Sequence, residues 1–423
     1  MFAVENLKGF FAKAMKEIPN GDIGVAVSGG GDSIALLYLT VDWALKNGRS
    51  LKSATVDHGI RLESESECHY VEEISRELSV QHTTLKWIDH NNGNLQKLAR
   101  EARHKLLRQW AIRNNLSVVL FGHTLDDNAE TIMIRLSRGS GIDGLTGISK
   151  SININDLAIF RPLLQVSRLE LRNYLKSESI RWIDEPSNFD QRFKRIRIRQ
   201  LLPKLTEVGI TAHKLISMAE HMARAKEALD LEVTRFAKIH VNQEAWGDLV
   251  FERDAFTRLP SEYQMRLLAA ALRWISGSAY RPRFKSLKTL SNLLICDQSM
   301  SGFSLMGSIV RCKKNRIIIA REFSAIPKHQ KITKKTFIWD KKWNLKVDPF
   351  QTNILAVGPL GKNGLGQINT KNIENIPRNA LISSVALFQN DRVICVPSLS
   401  YGTGLTAELV GGPKSFLNFL STY

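Results

Sequence analysis

Val25-Ala26-Val27-Ser28-Gly29-Gly30-Gly31-Asp32-Ser33 reads as the end of an apolar strand, then a turn of small residues with one acid. A helix start follows, Ile34-Ala35-Leu36-Leu37-Tyr38. A strand that feeds a glycine-rich turn into a helix N-terminus builds an anion site, because backbone N–H groups point outward and the helix dipole favours negative charge. Phosphate is the expected guest. The loop is not the lysine-containing loop of kinases and GTPases, since no lysine precedes Ser33. Ser, Gly and Asp together suit a magnesium-bound pyrophosphate, with Asp32 near the metal. The plainer alternative is a tight strand–helix connection, for which three glycines alone would suffice.

Working outward, strand and helix patterns alternate through the first third. Strand candidates are Asp22–Val27, Leu51–Val56, His82–Trp87 and Ser117–Phe121, and helix candidates are Ile34–Lys46, Glu63–Leu78, Leu95–Arg113 and Asp126–Ser137. This alternation predicts an α/β fold with a doubly wound parallel sheet. In such sheets ligands bind beyond the carboxyl ends of the strands. Three motifs fall there: Ser28–Ser33, Asp57-His58-Gly59-Ile60-Arg61, and Gly122-His123-Thr124-Leu125-Asp126-Asp127. One acid in a first helical turn is commonly a cap, but Asp126, Asp127, His123, Asn128 and Glu130 together exceed capping needs. Clustered carboxylates opposite a phosphate loop suit Mg²⁺, or a substrate ammonium. His58 reads equally well as a turn residue and as a nucleotide contact.

Length and charge bound the rest. The 423 residues call for two or three domains. The expected division is 1–210 for the α/β domain, 211–325 for a helical middle domain and 326–423 for a small, mainly β domain. A helix is expected over Thr211–Ile239, and a β-hairpin over 309–319. The net charge of +18 points to an anionic macromolecule, nucleic acid first. Arg100 and Arg103 share a helical face. Arg192, Lys194, Arg195, Arg197 and Arg199 form a denser basic run, a candidate contact to RNA phosphates. Residues 195–199 alternate Arg and Ile as a half-buried strand would, so a solvated basic face is the plainer reading. No apolar run approaches the roughly 20 residues of a spanning helix. Met1 to Pro19 lacks the apolar core of a signal peptide, so the expected location is cytoplasmic and no membrane partner is expected. The four cysteines, Cys68, Cys296, Cys312 and Cys395, have no metal-ligand spacing and read as small hydrophobes.

The segment Ser28–Ser33 resembles the PP-loop of the ATP pyrophosphatases, which cleave ATP between the α and β phosphates and transfer AMP. The ordered set is more specific. Ser28–Ser33, Asp57–Arg61, Leu95-Gln96 with Arg100 and Arg103, Gly122–Glu130, Arg161-Pro162-Leu163-Leu164 and Asp184–Asn188 together resemble the bacterial tRNA(Ile)-lysidine synthase family. That resemblance implies adenylation of the C2 carbonyl oxygen of the wobble cytidine in a CAU anticodon, then attack by free L-lysine. It implies ATP as co-substrate, with Ser28, Gly29, Gly30, Gly31, Asp32, Ser33, Asp57 and His58 toward the nucleotide. Asp32, His123, Asp126 and Asp127 would be catalytic, with the three aspartates serving Mg²⁺ or an amine. Arg100, Arg103, Arg192, Lys194, Arg195, Arg197 and Arg199 would face tRNA, and a homodimer is among the expected partners. The sequence departs from the family pattern at Arg195-Ile196-Arg197, where Arg-Asn-Arg is usual, and matches loosely over Arg378–Tyr423. A PP-loop thiolation enzyme would need paired catalytic cysteines, and a small-metabolite ligase would not call for the +18 charge.

Overall fold

The central parallel strands of the first unit, Asp22–Ala26 and Leu116–Phe121, carry near-continuous apolar runs, as strands covered on both faces require. The computed structural model describes residues 4–59, 64–87, 95–154, 157–183, 192, 194–297, 299–348, 355–368, 376–412 and 414–421. Ile60, Arg61, Asn94, Asp184–Asn188 and Phe193 lie outside them. The chain divides into two compact units, Met1–Lys226 and Glu227–Tyr423.

In the first unit, α1 (Val4–Met15) precedes β1 (Asp22–Ala26), α2 (Gly31–Lys46), β2 (Leu51–Asp57), α3 (Ser64–Glu77) and β3 (Gln81–Lys86). Then come α4 (Leu95–Arg113), β4 (Leu116–Phe121), α5 (Leu125–Leu136), α6 (Ile142–Leu145), β5 (Ser151–Ile154), β6 (Leu157–Phe160), α7 (Arg168–Ser177), α8 (Lys194–Glu207) and α9 (Ala212–His240). The sheet order is β3-β2-β1-β4-β6-β5. All pairs are parallel except β5 with β6. The order reverses between β1 and β4, and the register sets Ala26 beside Ala54 and Phe121. The loops after these three strands therefore emerge side by side at the switch point. Ile23, Val25, Ile34, Leu36 and Leu120 are fully buried there. Each such side chain contributes about 1.5–3 kcal/mol by leaving water.

The alternating Arg and Ile of residues 195–199 belong to a helix, α8, not to a strand. Ile196 and Ile198 are buried, Arg197 is exposed, and Arg195 and Arg199 sit one turn apart on one face. The period-two pattern arose because both isoleucines pack inward while Arg195 and Arg199 on either side of them reach carboxylates and Arg197 between them is exposed.

In the second unit, the end of α9 leads to β7 (Val241–Gln243), β8 (Leu249–Glu252), α10 (Arg253–Arg258), α11 (Ser261–Ser276) and α12 (Phe284–Cys296). Strands β9 (Phe303–Leu305), β10 (Ser308–Lys313) and β11 (Arg316–Arg321) complete an antiparallel sheet ordered β7-β8-β11-β10-β9. The expected hairpin is β10–β11, closed at Lys313↔Arg316 with Lys314 in the left-handed region at φ 53. Further strands follow as β12 (Gln330–Lys331), β13 (Thr336–Trp339), β14 (Trp343–Val347) and β15 (Leu355–Pro359). Helices α13 (Gly361–Leu365) and α14 (Arg378–Ser383), then β16 (Val385–Gln389), β17 (Arg392–Val396), β18 (Tyr401–Gly402), β19 (Leu405–Leu409) and α15 (Ser415–Ser421), complete the chain. These later strands form two more sheets, β12-β15-β16-β17-β18 and β13-β14-β19. A border at 325/326 is not where the packing divides. One hydrophobic core runs from Val233 through Leu267 and Val310 to Leu345, Val385 and Leu420. The indole Nε1 of Trp274 donates to Ser415 Oγ at 2.9 Å within it. Among the described residues no helix is long and apolar enough to cross a membrane. Cys68, Cys312 and Cys395 are buried as expected, whereas Cys296 is exposed.

Candidate active site

The loop between β1 and α2 closes on itself. Ser33 Oγ accepts from Ser28 N at 3.1 Å and donates to Gly30 O at 2.9 Å. Gly29 lies at φ +86, a conformation side chains resist, so glycine is required there. Gly30 caps α2 without any side-chain bond. The N-terminus of this 16-residue helix thus has no side-chain cap. Gly122 lets the end of β4 approach: a Cβ there would lie 3.0 Å from Asp32 O. The loop after β4 is thereby seated against the first turn of α2.

These loops line a cavity of about 850 Å³ that also includes Thr55, His58, Arg103, Phe121, His123 and Arg168. It opens at the strand ends, where the topology predicted. Two of its buried polar atoms, Thr55 Oγ1 and Arg103 Nε, have no hydrogen-bond partner. Orphaned polar groups in a cleft point to a ligand.

One wall is acidic and satisfied. Thr124 and Asp127 form a capping box at the start of α5, with Asp127 Oδ2 accepting from Thr124 N at 2.9 Å. Asp127 Oδ1 accepts from Arg168 and, at 2.9 Å, from Arg195. Glu130, fully buried, accepts from Arg168 at 2.7 Å, Arg195 at 2.6 Å and Arg199 at 2.8 Å. Burial alone would raise both carboxyls, but Arg168 above all holds Asp127 and Glu130 below the usual range. Arg168 also reaches Asp32 Oδ2 at 3.2 Å, and its backbone N donates to Asp126 Oδ2 at 2.7 Å. Burial opposes its charge, yet Asp127 and Glu130 raise it further. Asp32 is the exception among the acids: burial pushes its carboxyl up to about 6 against the pull of Arg168.

The other wall carries Arg103 and His123, with Arg161 bonded to His123. Arg161 donates from Nε to His123 Nδ1 at 3.2 Å and from Nη1 to Ser149 O at 2.8 Å. Burial, then Arg100 and Arg195, lowers Arg103 to about 10; burial, then Arg100 and Arg103, lowers Arg161 to about 10. Both guanidiniums lie over the Phe121 ring, at 5.7 and 6.0 Å from its centroid. Burial first, then Arg161 and Arg103, pushes His123 down to about 3 against the opposing pull of Asp127.

The expected residues are thus placed unequally. Ser28, Gly30, Gly31, Asp32, Ser33, His123, Asp127 and Arg103 line the cavity, whereas Gly29 and Asp126 do not. Asp57 accepts from Gly59 N and Ser64 Oγ, both at 2.9 Å, and so shapes its own loop; the Gly59 bond leads in lowering its carboxyl. His58 lines the cavity edge-on to Trp87, with ring centroids 6.0 Å apart. Arg195, Arg199 and Lys194 line the same cavity, while Arg100, Arg192 and Arg197 are exposed. Sequence reasoning missed Arg168 and Arg161. Arg168 had a signal, since Ser167 and Glu170 make a capping box that puts residue 168 at the first helical position.

A parallel sheet with this loop at its switch point defines a PP-loop ATP pyrophosphatase domain, and the family model described as a PP-loop domain matches residues 4–205. The tRNA(Ile)-lysidine synthase of Ruegeria pomeroyi is 36% identical over 94% of this chain and 93% of its own length. Those of Wolbachia pipientis wMel and Rickettsia felis are 36% and 31% identical, each over 90% of both chains. The chain belongs to the tRNA(Ile)-lysidine synthase family.

Proposed function

We propose that the protein adenylates the C2 carbonyl oxygen of the wobble cytidine of a tRNA(Ile) with a CAU anticodon and then couples free L-lysine to that carbon. In the first step the cytosine oxygen forms a bond to the α-phosphorus, and the pyrophosphate leaves with its electron pair. In the second, the lysine ε-nitrogen bonds to C2, the C2–O bond breaks and AMP departs, while one proton leaves the amine. Activation is needed because a ring carbonyl is a poor electrophile. The observation that carries the reading is the uncapped N-terminus of α2, closed by Ser28 and Ser33 and opening on a large cavity beside His123. Loop N–H groups would hold the phosphates there.

The residues fit Mg²⁺ at Asp32. Its carboxyl is raised by burial beyond what Arg168 offsets, so a divalent cation would relieve it. Asp126 still has an oxygen to offer beyond the Arg168 bond, whereas both Asp127 oxygens are engaged. Among the described residues no three such side chains form a self-sufficient metal cage. Magnesium bound through one or two carboxylates and phosphate oxygens needs none. When bound, the ion would stabilise charge at the phosphates. Asp32 and Asp126 would equally suit the lysine ammonium. Arg100, Arg103, Arg192, Lys194, Arg195, Arg197 and Arg199 are proposed to meet RNA phosphates, with Arg195 and Arg199 also bracing Glu130. The test is mass spectrometry of anticodon nucleosides after incubation with tRNA transcript, ATP, Mg²⁺ and lysine. A cytidine enlarged by lysine minus water is expected, and an unchanged cytidine overturns the reading.

A further inference from the structure

His123 sits at the junction of the two walls, and its surroundings restrict what it can do. The ring stacks on Phe121 with centroids 5.9 Å apart and planes 15° from parallel. Its Nδ1 faces Arg161 Nε at 3.2 Å. A guanidinium only donates, so Nδ1 must be the acceptor, and a neutral ring then carries its proton on Nε2. Arg161 is held from three sides. Its backbone N donates to Lys150 O at 2.8 Å, its Nη1 donates to Ser149 O, and Pro162 restricts its backbone to extended conformations. The charge that acts on it most is Asp127, which is already paired with Arg168 and Arg195; Arg161, Arg103 and Arg195 follow and oppose a second proton.

We propose that Arg161 is a positioning residue that fixes His123 as the Nε2–H tautomer, so that His123 donates a hydrogen bond to the α-phosphoryl group and does not transfer protons. The second clause rests on the ATP reading above; the first does not. Gly122 seats His123 against the phosphate loop, and Arg103 and Arg195 line the same cavity, so the acceptor that suits this corner is an anion. A neutral imidazole can serve developing negative charge as a donor. With Nδ1 occupied and Nε2 protonated, the ring has no lone pair to take the proton that the lysine amine must lose. That proton leaves by another acceptor.

Nitrogen NMR of ring-labelled histidine in the free protein tests the first clause. The expected His123 signal is an unprotonated Nδ1 and a protonated Nε2 near neutral pH, kept in Arg161→Lys and lost to tautomer exchange in Arg161→Met. A proton on Nδ1, or a doubly protonated ring, in the wild type overturns it. Pyrophosphate release tests the second. His123→Gln keeps an N–H near the Nε2 position and should stay within about 10-fold of wild type. His123→Phe should lose roughly 10- to 100-fold, as expected for a bond to a charged group. Equal loss in both variants overturns the donor role. If Arg161→Met fails to fold, Arg161→Lys and the two His123 variants still decide the matter. Absence of pyrophosphate release in the wild type would instead defeat the ATP reading and leave the NMR result standing.

Discussion

The two walls of the cavity use arginine in opposite ways. On one, Arg168, Arg195 and Arg199 meet Asp127, Glu130 and Asp32 at 3.2 Å or less. On the other, Arg103, and Arg161 bonded to His123, have no carboxylate within ion-pairing distance among the described residues, and Arg103 Nε bonds to nothing. Buried charge is tolerated when paired and expensive when not. The first wall therefore braces the α5–α7–α8 corner. The second holds repulsion that a bound anion would relieve.

Asp32 breaks the symmetry of the acidic wall and should have the largest effect. Asp32→Asn should reduce pyrophosphate release upward of about 100-fold, because metal-assisted charge stabilisation is worth several kcal/mol. RNA affinity should stay nearly unchanged, and parallel loss of both would merge the two walls into one function. Next, Glu130→Gln leaves three guanidiniums without their shared carboxylate. It should destabilise the protein by about 3 kcal/mol in urea titrations. No shift in midpoint would contradict a bracing role. By contrast, Arg103→Gln should leave stability equal or higher, weaken RNA binding about 10-fold and flatten its salt dependence by about one ion.

The pH dependence separates the acids further. Asp32 is raised to about 6, so its carboxylate is lost as pH falls through that value. Binding of Mg²⁺ with ATP should weaken below about pH 6, and Arg168→Met should move that limb to higher pH. Asp127 and Glu130 are depressed, so their stabilisation is present above the unfolded carboxyl range and fades only as pH drops through it. Smallest of all, exposed Arg197→Glu should change RNA affinity a few-fold and stability within about 0.5 kcal/mol. Unchanged affinity would make that turn of α8 purely structural.

The strand–loop–helix at 25–38 was legible because small residues, one acid and an apolar strand each have a local reason to be there. The long helix α9 was legible because nothing in 211–239 interrupts it. The strand-like pattern at 195–199 misled, since isoleucines buried from both sides of a helix imitate a period of two. Arg161 lay in a recognisable motif and Arg168 at a readable helix start, yet the site role of neither could be read. What gives them meaning is contact across 38 residues with His123 and Glu130, and across 136 with Asp32. The core that joins Val233, Leu267, Val310, Leu345 and Val385 was hidden for the same reason, since helices and strands of different sequence texture pack together only in three dimensions.

Phosphorus NMR of the products, with tRNA and lysine present, tests the central claim most directly. The phosphate loop before α2 should direct cleavage between the α and β phosphates, giving AMP and pyrophosphate in step with nucleoside modification. ADP and orthophosphate would contradict it.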